Sequence, residues 1–151
     1  MQDLPHHYHV SASSEADGNV ELKADNLPLL VTAPPAEFGG PGDQWSPETL
    51  LIAAVADCFV LTFKAIARAS RLDWDNLECS AEGVLDRVDK VTRFTAVTVS
   101  ARLTVPAGTD ADKARRLLEK SETACLVTRS LLAESHLIAE VLVSSKPGTV
   151  P

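Results

Sequence analysis

The chain has 151 residues, 45% hydrophobic and 23% charged, a balance that suits one hydrophobic core and one domain over residues 1–151 and excludes a disordered chain. A net charge of −7 and an isoelectric point near 5.0 leave no basic surface for phosphates, so no nucleic-acid partner is expected. No apolar run of about 20 residues and no basic-then-apolar leader before Val10 is read from the chain, so no membrane partner and a cytoplasmic location are expected.

In chain order, Tyr8 to Ser13 reads as the first arm of a hairpin that turns at Asp17-Gly18. Val20, Leu22 and Ala24 alternate with Asn19, Glu21 and Lys23 in its second arm. One further early strand is left open. His7 and His9 would share a strand face beside His6, a two-ligand edge with no third ligand at a fitting spacing, and no metal site is assigned. Residues 32 to 47 carry Pro34-Pro35 and Gly39-Gly40-Pro41-Gly42, the composition of a long connecting loop.

Ser46-Pro47-Glu48 combines an N-cap, a proline at the first helical position and an acid at the positive end of the dipole, which predicts a helix running to about Ser70. From Leu50 to Phe63 it is apolar on nearly every face, so packing should surround much of it. Period-2 alternation then predicts two long antiparallel strands, around Leu77–Glu82 and Val97–Val105, joined near Asp89-Lys90. Asp110 caps a second helix whose apolar stripe (Ala114, Leu117, Leu118, Ser121) arrives at Cys125, directing that thiol inward. A third helical segment over Thr128–Glu134 and a last strand over Leu137–Val143 complete an α+β order.

Three cysteines are too few, and odd in number, for the disulfide framework of a secreted domain, so each thiol is weighed separately. Cys58 shares a helix face with Leu51, Ala54, Val55, Leu61, Thr62 and Ala65, apolar and mostly small surroundings that suit core filler; a reactive thiol there needs a neighbouring cation, because an apolar site raises a thiol pKa. Cys79, on the apolar face of a strand, reads as structural. Asp57, an acid inside an apolar helix beside Cys58, reads either as a hydrogen-bonded core acid or as a group pointing into a site.

The segment from Ser46 through Pro47-Glu48-Thr49-Leu50 to Ala56-Asp57-Cys58-Phe59 resembles the N-P-E-x-L … A-x-C-F segment of the osmotically inducible and organic-hydroperoxide-resistance (OsmC/Ohr) family, including the ten-residue step from Glu to Cys. Gly83 to Arg87, Phe94-Thr95 and the helix leading to Cys125 are also similar to that family, and the resemblance extends from about Tyr8 to Val143. It implies an OsmC-like α+β fold with antiparallel sheets around a long central helix, in an intertwined homodimer whose sites lie at the subunit interface. It also implies thiol peroxidase chemistry on organic hydroperoxides, with Cys58 as nucleophile, Cys125 as the resolving cysteine and Glu48 as the site carboxylate. The reductant would be an external dithiol of lipoyl or similar type, and no cofactor is implied.

Ten helical residues span about 15 Å and turn about 1000°, so Glu48 and Cys58 of one straight helix cannot meet; a shared site would take the carboxylate from a partner chain. The chain departs from the family at Ala16 in the first hairpin and Phe38 in the long loop, at one or other of which members usually carry an arginine, and at Glu122 and Leu126, where they often have His and Pro. Arg129, one turn beyond Cys125, is the candidate substitute cation, with Lys64 and Arg68 further away, and Phe38 occupies the arginine's place on the substrate side. The alternative reading is an OsmC-like binding or redox-sensing protein with little turnover.

Overall fold

The computed structural model describes residues 2–147, which fall into two compact units on either side of the Leu51/Ile52 division. In the first unit, β1 (Ser11–Ser13), β2 (Val20–Lys23) and β3 (Leu30–Thr32) form an antiparallel meander. The early strand left open by the sequence is therefore β3. β1 is shorter than expected: His6, His7 and His9 precede it and are exposed, so they do not line a strand edge.

The Pro/Gly segment is a loop with one short 3-10 helix, Ala36–Phe38, and it returns to the sheet where the Ala33 N–H donates to the Trp45 carbonyl at 2.9 Å. Only glycine fits at position 40, because a Cβ there would lie 1.7 Å from the Pro34 carbonyl oxygen. Ser46 caps the first helix as expected. Its hydroxyl accepts from the Thr49 N–H at 3.1 Å while the Thr49 hydroxyl accepts from the Ser46 N–H at 2.8 Å, a capping box closed by threonine.

That helix, α1 (Pro47–Ala69), runs through the division into the second unit. There β4 (Asn76–Val88) and β5 (Val91–Ala107) form a long hairpin, followed by α2 (Ala111–Ala124), α3 (Leu126–Arg129) and β6 (Glu134–Pro147). The hairpin turns at Asp89 and Lys90, both at positive φ (50° and 66°), between the paired Val88 and Val91, as a two-residue turn of the right twist requires. Val97, Val99, Ala101, Leu103 and Val105 of β5 point inward and are buried with Val55, Phe59, Phe63 and Ala67 of α1 and with Ala114, Leu117 and Leu118 of α2. The stripe expected on α2 is the one that packs, and Asp110 caps it by accepting from the Lys113 N–H at 3.0 Å.

Three expectations are corrected. The sheet is mixed, because β6 pairs with β5 in parallel; α2 and α3 carry the chain back to the level of Ala96, where Glu134 starts a strand in the same direction. The third helix occupies Leu126–Arg129 and stops there, since β6 already begins at Glu134 and one helical turn has little stability of its own against strand pairing. Within the second unit one face of α1 is buried, while Ala54 and Ala65 are exposed and Leu61 is 55% exposed. Finally, α1 is long and apolar enough to cross a bilayer, with a mean hydropathy of 2.1 over an 18-residue window. Its second-unit portion instead buries Val55, Phe59, Phe63 and Ala67 against the sheet and α2.

Candidate functional site

Cys58 projects from the middle of α1, and Cys125 occupies the single extended residue (φ −64°, ψ 110°) that ends α2 and begins α3. Each thiol has its own hydroxyl partner. Cys58 Sγ lies 3.9 Å from Thr62 Oγ1, one helical turn on, and Thr128 Oγ1 donates to Cys125 Sγ at 3.3 Å. None of the three cysteines is joined in a disulfide. Cys125 is buried, whereas Cys58 is half-buried and opens onto an apolar groove of about 540 Å³ lined also by Leu61, Ile66, Leu126 and Val127.

The two thiols are displaced in opposite directions. Burial acts to raise the Cys58 pKa, but the Val127 N–H, the Cys125 thiol, the Thr62 hydroxyl and the Leu126 N–H together outweigh it and hold it below the ordinary value. Those N–H groups are free to do so because the first turn of a helix has no internal acceptors for its amides. Burial pushes the Cys125 pKa up, and the neighbouring Cys58 adds to the rise. The thiol that meets the groove is thus the one whose anion is stabilised.

Cys79 is half-buried on β4 and faces the Ala56 carbonyl at 3.9 Å; burial, with Cys125 second, raises its pKa, in keeping with a structural role. Arg129 is exposed at the end of α3 and is not among the residues lining the groove. Asp57 is exposed and does line it, which decides between the two readings of that residue. Glu122 is held by Ser135, whose hydroxyl donates to its carboxylate at 2.6 Å.

Glu48 and Phe38 belong to the first unit. Phe38 is 58% exposed. Glu48 Oε2 is buried without a hydrogen-bond partner among the described residues, an arrangement that costs free energy unless something outside them completes it. No group of three or more potential metal ligands comes together among the described residues. The sequence reading missed the Leu126 and Val127 amides and Thr128; backbone donors have no residue-type signature, although the extended residue between two helices is what exposes them.

The site is thus a groove-facing cysteine beside a buried one in a mixed α+β fold. The OsmC-like protein family model matches residues 40–139, and the chain belongs to that family. It is 27% identical over 145 residues to the uncharacterized protein YmaD of Bacillus subtilis, covering 91% of this chain and 95% of that one. Its fold is similar to an OsmC-like protein of unknown function from Vibrio cholerae (TM-score 0.79, 15% identity, 91% of this chain and 100% of that one). It is also similar to an organic hydroperoxide resistance protein OsmC from Legionella pneumophila (TM-score 0.70, 23% identity, 93% and 100%). A third similar fold is the organic hydroperoxide resistance protein OhrB of Bacillus subtilis (TM-score 0.65, 19% identity, 90% and 98%).

Proposed function

We propose that this OsmC-like protein reduces organic hydroperoxides through the Cys58/Cys125 pair. The observation that carries this reading is the opposed displacement of two adjoining thiols, with the lowered one at the apolar groove. The Cys58 thiolate attacks the terminal peroxide oxygen, forming an S–O bond as the O–O bond breaks, and the leaving alkoxide takes up a proton to become the alcohol. Cys125 then attacks the sulfenic sulfur; an S–S bond forms, the S–O bond breaks and water leaves. An external dithiol reduces the disulfide by exchange, restoring both thiols. Support comes also from the hydroperoxide-resistance proteins among the similar folds.

The working unit in this proposal is a cytoplasmic, intertwined homodimer in which residues 1–151 act as one OsmC-like domain. The exposed apolar face of α1 favours a second copy, and the family match runs across the division at Leu51/Ile52. Glu48 acts in trans, and its unpartnered oxygen favours that role. Arg129 and Phe38 remain on the substrate side of the proposal as secondary residues.

The second reading, binding or sensing with little turnover, is favoured by Ala16 and Phe38 standing where the family carries arginine. Rapid mixing of the reduced protein with cumene hydroperoxide and with hydrogen peroxide, followed by mass spectrometry, separates the two. Rapid formation of a Cys58–Cys125 disulfide with the organic peroxide is expected; slow oxidation would favour sensing, and none would leave both thiols structural.

A further inference from the structure

Four hydroxyl side chains lie between Ala111 and Ser130, and three of them donate to a carbonyl about one turn back: Ser121 to Leu117 at 2.6 Å, Thr123 to Lys120 at 3.0 Å and Ser130 to Leu126 at 2.8 Å. Thr128 is the exception. Its buried hydroxyl donates instead to the buried Cys125 Sγ at 3.3 Å. A neutral thiol sulfur is a weak acceptor, so a hydroxyl aimed at one gains little until that sulfur becomes an anion.

Cys125 is in turn a donor towards Cys58, which makes a chain of hydrogen bonds from Thr128 through Cys125 to the groove thiol. The titratable groups acting on Cys125 are the thiols of Cys58 on α1 and Cys79 on β4, while Glu122, three residues earlier, is engaged by Ser135. Thr128 and Cys125 are both buried within their own chain, so a second copy on the exposed face of α1 leaves their contact in place.

We propose that Thr128 is a positioning residue for the resolving step: its hydroxyl holds the Cys125 sulfur while that atom carries negative charge, and so governs how fast Cys125 closes on oxidised Cys58. This role rests on the peroxidase reading. In the step concerned Cys125 attacks the sulfenic sulfur, an S–S bond forms, the S–O bond breaks, and the Cys125 proton leaves with the hydroxyl as water. Thr128 keeps its own proton throughout, and its bond is strongest when the charge on sulfur is greatest. Burial pushes the Cys125 thiol up, and the Thr128 hydroxyl is the foremost group opposing that rise.

Two measurements test this. Thiolate ultraviolet absorbance gives the Cys125 midpoint in Cys58→Ser/Cys79→Ser protein, with the cysteine-free protein subtracted, and needs no peroxide. Thr128→Val removes the hydroxyl at nearly constant shape and should raise that midpoint by roughly half to one pH unit; Thr128→Ser, which keeps the donor, should restore the parent value. In protein with all three cysteines, mixed with excess cumene hydroperoxide, mass spectrometry follows the Cys58 sulfenic acid as it gives way to the Cys58–Cys125 disulfide. The raised midpoint lowers the thiolate population about three- to tenfold at neutral pH, and the greater nucleophilicity of a more basic thiolate restores about half of that logarithm. Resolution in Thr128→Val should therefore be roughly two- to fourfold slower near neutrality, and the gap should close above the raised midpoint.

A merely structural Thr128 would leave the midpoint where it was, or slow resolution by the same factor at every pH, and either result overturns the proposal. Thr128→Ala takes the place of Thr128→Val in both measurements if the latter does not fold. If cumene hydroperoxide leaves Cys58 reduced while the midpoint moves as expected, the peroxidase reading fails and the hold of Thr128 on the Cys125 anion stands. If the disulfide forms while the midpoint and the pH profile stay at their parent values in the variant, the peroxidase reading stands and Thr128 has no part in it.

Discussion

Cys58 and Cys125 adjoin each other from different structural settings: one on a continuous helix facing a groove, the other in the one-residue break between two helices. The break matters because it starts a new helix whose first amides, at Leu126 and Val127, help lower the Cys58 pKa, while Cys125 itself is buried. Chemical asymmetry between identical side chains thus follows from their different burial and from the backbone and side-chain donors around each.

The pH dependence of alkylation tests that asymmetry. Cys58 should react with a midpoint below that of an ordinary cysteine, and Cys125 in the Cys58→Ser variant with one above it. Removing the neighbouring donor in Cys125→Ala should move the Cys58 midpoint up. The linkage signs are opposite. A raised thiol keeps its proton when folded, so Cys125 withdraws stability as pH climbs past the unfolded thiol value towards the folded one. The lowered Cys58 adds stability as pH rises from its folded value to the unfolded one. Denaturant titrations of Cys125→Ala between pH 7 and 10 should accordingly lose less stability with rising pH than the parent protein.

Leu126→Pro should fold and gain roughly 0.4–1 kcal/mol, because position 126 is the first residue of α3 and the preceding Cys125 already holds the extended conformation that a following proline requires. The same change deletes one of the amides that stabilise the Cys58 anion, so the Cys58 midpoint should rise slightly. A destabilised variant would show that the Leu126 N–H carries more of the fold than this geometry implies.

Gly83 is a packing glycine. A Cβ there would come within 2.4 Å of Ile52 Cδ1 and 2.8 Å of Phe94 Cε1, so Gly83→Ala should cost about 1–3 kcal/mol by overpacking. Adding Ile52→Val removes the nearer atom, and the double variant should be more stable than the sum of the singles; additive thermal unfolding data would discount the contact.

Much of this arrangement is legible in the residues. Ser46-Pro47 marks the start of α1, alternation marks β4 and β5, and the α2 stripe is the one that packs. Strand direction is not legible, since a period of two is the same in parallel and antiparallel pairing, and β6 could not be oriented until the helical crossover placed it. At the site the cysteines stand out by type, but what stabilises one of them does not. A search for a cation leads to Arg129, whereas the groups found to lower the pKa are amides and hydroxyls that any sequence supplies.

Ser46→Ala should cost about 1 kcal/mol through loss of the capping box at the head of α1. Ser46→Asp should retain most of that stability in thermal melts, because aspartate also caps well.

Mixed dimers offer the test of a shared site. Glu48→Ala and Cys58→Ser chains should each lack full peroxidase activity alone and, when combined, regain one working site per heterodimer. Absence of complementation in verified heterodimers would remove Glu48 from a role across the interface.

The parallel pairing of β5 with β6 has a kinetic side. The β4–β5 hairpin closes through a two-residue turn and can form early, but β6 reaches its place only after residues 108–133 have been gathered into a crossover, a loop whose closure entropy delays it. Cys125 lies within that crossover, so the two thiols are expected to be brought together late, after the sheet has its first two strands. In pulse-labelling during refolding, Cys125 should therefore stay open to alkylation after the β4–β5 amides are already protected from exchange.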